Sequence, residues 1–356
     1  MVDEAGHRAR MPYDRTVNDA VRSYWTRRRG RWQTGALVVS VVVSAALVLT
    51  SDRARVGHWR SAAGKAAYER AYDAVLATMT APAETRDVPT GYGIVRVYRF
   101  EPVGGPPAGA LPILLLPGWG AGAPMWRDNL PGLLAGRTVY ALDALGDAGR
   151  SIQSVPLESA AAQAEWVAQT LAGLDVARAH VVGHSFGGWA ALNVAIHHPD
   201  RVATLSLLDP VQTFSPLRWQ VYASAIPASV PWLPQSWRDR ALADIGGVDS
   251  VDRSDAMTAM IDAGTQHYVS QRAFPQRPSP EQLQALPMPV YAAMAGASSV
   301  NADPDAAVSL ARAHVRDIEI RVWPGATHSL PMEQSARVDA ELLDVMARQE
   351  RGPVTD

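Results

Sequence analysis

A chain of 356 residues with 47% hydrophobic and 19% charged residues has the make-up of an ordinary globular protein able to bury a large core. Its net charge of −2 provides no electrostatic footprint for nucleic acid. Cysteine is absent, which excludes disulfides, thiolate nucleophiles and Cys-based metal sites.

Residues 1–31 are polar and basic, with Arg27, Arg28, Arg29 and Arg31 crowded at the end and no apolar periodicity, the pattern of a disordered segment. Residues 32–51 carry no charge, and 36–49 are almost wholly Ala, Leu and Val. A helix over that stretch would be about 30 Å long, enough to cross the hydrocarbon core of a bilayer, with Trp32 at the interface. A cleaved signal peptide is the competing reading. The long leading region and the lack of a clean small-x-small site favour an uncleaved single-span anchor. The arginines before the span place the N-terminus inside and the rest of the chain on the extracytoplasmic side. Residues 52–85 read as a helical linker: Tyr68, Tyr72, Val75, Leu76 and Met79 recur at three- and four-residue spacing until Pro82.

From residue 86 the pattern alternates. Residues 86–101 read as one or two strands, and 111–116 as a strand buried on both faces, ending at Pro117-Gly118-Trp119-Gly120. A helix to about Leu134, a strand at 138–142 and a helix at 157–173 follow. The next strand runs into His184-Ser185, and another spans 202–208, stopped by Asp209-Pro210. Residues 211–286 break the rhythm with Pro and Trp (Trp219, Trp232, Trp237) and short helical pieces, which predicts a helical cap insertion. Strand 289–294, helix 304–314, strand 318–323 and a closing helix from about Glu333 to Arg348 complete the chain. Such alternation calls for a mostly parallel sheet with helices on both faces.

The most informative stretch is Gly183-His184-Ser185-Phe186-Gly187, which follows an apolar run and precedes a helix-compatible segment. A serine at that bend projects its hydroxyl from the carboxyl end of the strand, and the N-terminus of the helix points its free N–H groups at the same place. Of the nine histidines, His328 is the one in a post-strand loop near the C-terminus, with a side chain suited to moving a proton near neutral pH. His184, inside the bend, reads as structural with its ring turned away. No metal-ligand spacing is present, and no cofactor is expected.

With these motifs in this order, residues 86–350 resemble the α/β-hydrolase superfamily. Pro117-Gly118-Trp119-Gly120 is similar to the family's oxyanion loop, usually written with His-Gly; residues 143–151 resemble its Asp-x-Pro-Gly-x-Gly-x-Ser turn, one residue longer here; and Gly325-Ala326-Thr327-His328-Ser329 resembles its histidine loop. The resemblance implies an α/β-hydrolase fold with Ser185 as nucleophile, His328 as base, and the backbone N–H groups of Trp119 and Phe186 as oxyanion donors. The acid departs from the pattern. Its usual position, three residues beyond Gly296, is Ser299. Asp209 at a strand end and Asp303 four residues past Ser299 are the two substitutes, and the firmer footing of a strand terminus favours Asp209. The competing structural readings are an Asp-Pro turn for Asp209 and a helix N-cap for Asp303.

The resulting expectation is a membrane-anchored serine hydrolase, acting on an ester or related acyl bond of an apolar small molecule or lipid, with Met257 and Met260 among the apolar residues of the cap. A catalytically inactive binding protein of the same fold is the alternative from another class. Cofactor-free haloperoxidase and C–C hydrolase chemistry are the alternatives within the fold.

Overall fold

A computed structural model of the chain describes residues 55–230 and 232–351. The basic segment and the expected span at 32–51 lie outside these residues. Among the described residues, no helix is long and apolar enough to cross a membrane.

The strands are β1 (His58–Trp59), β2 (Glu84–Thr90), β3 (Gly93–Phe100), β4 (Ile113–Leu116), β5 (Val139–Leu142), β6 (Ile152–Gln153), β7 (Ala179–His184), β8 (Val202–Leu208), β9 (Tyr268–Val269), β10 (Val290–Ala295) and β11 (Ile318–Trp323). The helices are α1 (Ala62–Leu76), α2 (Leu130–Leu133), α3 (Ala160–Gly173), α4 (Phe186–His197), α5 (Trp219–Ser229), α6 (Gln235–Gly246), α7 (Ala256–His267), α8 (Pro280–Gln284), α9 (Pro304–His314), α10 (Leu330–Glu333) and α11 (Ser335–Arg351). The main sheet runs β11-β10-β8-β7-β4-β5-β3-β2, with β6 also paired to β3. From β11 to β5 the neighbours are parallel, and β2, β3 and β6 are joined antiparallel. From residue 55 onward the expected strands and helices are present. Residues 86–101 resolve into two strands, and the segment before Leu134 into a 3-10 turn, Ala123–Trp126, followed by α2.

Every residue of β4, β7 and β8 is buried, as strands of a parallel sheet covered on both faces require. Alternation then sorts their side chains by face. Leu114 and Leu116 join Trp166 and Val167 of α3 and Ala191 and Val194 of α4 in one core. Ile113 and Leu115 join Tyr68 and Tyr72 of α1 and Val338 and Leu342 of α11 in the other. Each leucine so buried contributes about 1.5–3 kcal/mol.

Between residues 55 and 85 the chain is built into this core. Tyr68, Tyr72 and Val75 of α1 are fully buried, and Tyr72 Oη donates to both carboxylate oxygens of Asp143 at 3.0 Å. Asp143, buried and also accepting the Ala123 and Arg150 N–H groups, anchors the 143–151 turn. Met257 and Met260 of α7 are buried in the same cluster as Tyr68, so they are core residues packed with α1.

Candidate active site

Ser185, His328 and Asp209 converge at the carboxyl ends of the parallel strands, where open α/β sheets place their ligand sites. Ser185 stands between β7 and α4, as the N-cap of α4, in a strained backbone conformation, φ 54 and ψ −118. Asp209, directly after β8, also has positive φ, at 40. Non-glycine residues held in sparsely populated conformations cost on the order of 1–3 kcal/mol each and cluster at functional sites. The glycines flanking the serine make the bend possible. A Cβ at Gly183 would come within 2.2 Å of the Gly187 carbonyl, and one at Gly187 within 2.2 Å of the Leu116 carbonyl.

His328, in the loop after β11, links the two. Its Nε2 lies 2.8 Å from Ser185 Oγ and its Nδ1 2.6 Å from Asp209 Oδ2. Asp209 is fully buried, and its carboxylate is saturated with donors. The Ala295 N–H at 3.2 Å and Asn301 Nδ2 at 2.8 Å reach Oδ1, and Ser298 Oγ at 2.7 Å joins His328 on Oδ2. Burial on its own would raise the carboxyl pKa. The hydrogen bond and charge of His328, with the bonds from Ser298 and Asn301, outweigh it and hold Asp209 below the ordinary carboxylate range.

Asp303 is elsewhere. Its side chain accepts the Ala306 N–H at 2.9 Å as the N-cap of α9, so the structure brings Asp209 and not Asp303 to the histidine. Ser299, where the resemblance looked for the acid, donates to the Ile245 carbonyl of cap helix α6 at 2.6 Å. The loop after β10 thus fastens the cap with one serine and the Asp209 carboxylate with its neighbours Ser298 and Asn301. Those two were not picked out by sequence reasoning, and a polar Ser-Ser-x-Asn run around the missing acid was the available signal.

His184 differs from expectation. Its ring is not turned away but lies beside the His328 ring, with centroids 4.8 Å apart, and its Nε2 donates to the His328 carbonyl at 2.8 Å. Burial first, and the charge of His328 second, push its pKa down to about 3, so it is neutral at ordinary pH. It is a buried strut under the His328 loop.

The loop after β4 closes the other side. A Cβ at Gly118 would stand 2.9 Å from His184 Nδ1 and 3.4 Å from Ser185 Cβ, which places this loop directly against the nucleophile turn. Among the described residues, no acceptor takes the backbone N–H of Trp119 or of Phe186. Both donors are left for a ligand, the second at the positive end of α4. Proline at 117 leaves them intact. A cavity of about 300 Å³ borders Trp119 and Gly120 and is walled by Ala225 of α5 and by Thr265 and Tyr268. No group of three or more His, Asp or Glu side chains among the described residues is placed to hold a metal ion.

Such an arrangement can pass a proton from a serine hydroxyl to an imidazole braced by a buried carboxylate. Comparison with known proteins agrees with the fold. Carboxylesterase YbfK of Bacillus subtilis is 26% identical over 286 residues, spanning 78% of this chain and 93% of that relative. The crystal structure of B. subtilis carboxylesterase CesB (YbfK) superposes with a TM-score of 0.72 at 24% identity, covering 80% of this chain and 98% of that one. That of B. subtilis naproxen esterase superposes with a TM-score of 0.70 at 23% identity, covering 79% and 97%. Residues 113–341 match the family model described as the alpha/beta hydrolase family. The chain belongs to the alpha/beta hydrolase family.

Proposed function

We propose that the chain is a serine ester hydrolase. Ser185 attacks the acyl carbon while His328 takes its proton, and the Trp119 and Phe186 N–H groups receive the developing oxyanion. His328 then returns the proton to the leaving alcohol. Water, activated by the same imidazole, releases the acid and frees Ser185. Asp209 keeps Nδ1 protonated and stabilises the imidazolium without taking its proton. The observation that carries this reading is the continuous chain from Ser185 Oγ through both nitrogens of His328 to Asp209. The carboxylesterase names of the B. subtilis relatives support the substrate class. The inactive-protein alternative rested on the lack of an acid at Ser299, and Asp209 supplies one from β8.

The reading extends to an apolar acyl group and a membrane setting. Trp219, Trp232 and Trp237 in the cap region are 71%, 73% and 62% exposed, an apolar outer surface suited to lipid-like substrates. Residues 32–51 serve as a single-span anchor, with the arginine-rich segment inside and the hydrolase outside the cytoplasm. Hydrolysis of p-nitrophenyl esters of graded chain length tests the reaction. Turnover by the native enzyme, lost in Ser185→Ala and best with longer acyl chains, is the expected result. Equal turnover by Ser185→Ala would overturn it. Membrane fractionation tests the anchor: the full-length chain is expected in the membrane pellet after an alkaline wash, and recovery in the soluble fraction would contradict it.

A further inference from the structure

The stretch 268–272, where the chain leaves the cap, touches both oxyanion donors' residues. Ser270 Oγ accepts from Trp119 Nε1 at 3.1 Å and donates to Asp147 Oδ1 at 3.1 Å. The other oxygen of Asp147 accepts the Gly120 N–H at 2.8 Å and pairs with Arg272 at 3.0 Å. The Arg272 guanidinium, in turn, lies over the Phe186 ring, 3.7 Å from its centroid. One connected group therefore braces Trp119 and Gly120 on one side of Ser185 and Phe186 on the other.

Its cost shows that it is more than packing. The side chains of Asp147 and Arg272 are 3% and 7% exposed, and taking such a pair out of water consumes most of what its attraction returns. Buried pairs of this kind contribute little net stability, and in some proteins they serve instead to fix a single geometry.

The stretch is itself clamped by the part of the chain that precedes the sheet. β1 pairs antiparallel with β9, His58 opposite Val269 and Trp59 opposite Tyr268. The Arg60 N–H donates to the His267 carbonyl at 2.8 Å, and the Gly57 N–H to Gln153 Oε1 at 2.7 Å. The Trp59 ring meets those of Tyr68 and Tyr268, each at 4.9 Å. On the other strand side, the Gln271 N–H donates to the Gly146 carbonyl at 3.2 Å, beside Asp147.

We propose that Asp147, Ser270 and Arg272 are positioning residues for the oxyanion site, held in register by the β1–β9 pair, so that residues 57–60 are a working part of the site. The proposal rests on the acyl-transfer reading. None of the three touches the reacting atoms; they act through where Trp119 and Phe186 hold their N–H groups, which matters most when negative charge develops.

The test uses the full-length enzyme and three readouts: kcat and KM on an activated ester, affinity for a boronic acid that forms a tetrahedral adduct on serine, and labelling by a fluorophosphonate. Ser270→Ala is expected to lower kcat about tenfold with KM unchanged and to weaken the boronate by a similar factor, a fraction of what losing a whole oxyanion donor costs. Labelling of Ser185 persists, and Ser270→Thr restores kcat. If Ser270→Ala fails to fold, Trp119→Phe, which removes the Nε1 donor together with part of the indole ring, is read by the boronate affinity alongside kcat. Unchanged kcat and boronate affinity, or a lower melting temperature with kcat intact, would overturn the proposal. A native enzyme that the fluorophosphonate does not label would instead remove the acyl-transfer reading, and this proposal with it.

Discussion

In the proposed mechanism Ser185 has an acid flank and an oxyanion flank, and the two are assembled from different material. On the acid flank every group comes from the sheet's own strand ends and the loops that join them. Asp209 closes β8, Ala295 closes β10, and Ser298 and Asn301 lie in the next loop. On the oxyanion flank the backbone donors belong to the fold, but their bracing is borrowed. Asp147 comes from a turn, Ser270 and Arg272 from the end of the cap, and β1 from ahead of the sheet. A site can thus rest one half on the scaffold and the other on accessory segments, and the two halves answer differently to change.

The largest effect belongs to the scaffold half. Asp209→Asn is expected to lower kcat about 10⁴-fold, because the amide presents the wrong hydrogen-bonding partner to Nδ1. Asp303→Asn leaves kcat unchanged, and the pair of measurements separates the two candidate acids. Next comes Asn301→Ala, which removes a donor to Asp209 and lets the carboxylate shift, with an expected loss of up to about 100-fold in kcat. Steady-state kinetics with an unchanged melting temperature would isolate that effect from unfolding.

The borrowed half is probed by truncation. Removing residues 1–51 is expected to release an active soluble enzyme, whereas removing 1–60 also deletes β1 and lowers kcat about tenfold further, a fraction of what an oxyanion donor is worth. Equal kcat for the two truncations would erase the difference between the flanks.

Smaller effects follow from His184. Its pKa in the fold, about 3, lies below the unfolded value of about 6.5. Its stabilising contribution is therefore complete above about pH 6.5 and is lost as pH falls toward 3. Thermal melts between pH 7 and 4 are expected to show falling stability, with a shallower slope in His184→Phe. Smallest is the α9 cap: Asp303→Ala is expected to cost about 1 kcal/mol of stability and no activity, measured by urea unfolding.

The two flanks also differ in how far they were legible in the sequence. Buried parallel strands announce themselves as apolar runs, and the glycines around Ser185 mark a bend that only small residues permit, so the sheet, the elbow and His328 could be read directly. Asp209 was readable because it stops a strand. Asp147, Ser270 and Arg272 carried no local signal. Asp147 and Ser270 are separated by 123 positions, and only the packing of the cap against the sheet brings them together. β1 is two residues long, too short for any periodicity to betray it. The ring of His184 was misjudged for a related reason: strand alternation shows which face a side chain leaves by, not what the loop after β11 will lay across it. Met257 and Met260, read as apolar cap residues in keeping with an apolar substrate, are core residues, because a helix face that is apolar for packing and one that is apolar for a ligand have the same sequence.

The central claim is that Ser185 is the nucleophile of a braced acyl-transfer site. The most direct measurement is intact-protein mass after incubation with a fluorophosphonate, followed by peptide mapping. One adduct per chain on Ser185, absent from Ser185→Ala and strongly slowed in Asp209→Asn, is the predicted result. A folded protein that remains unmodified, or carries the adduct on another residue, would contradict it.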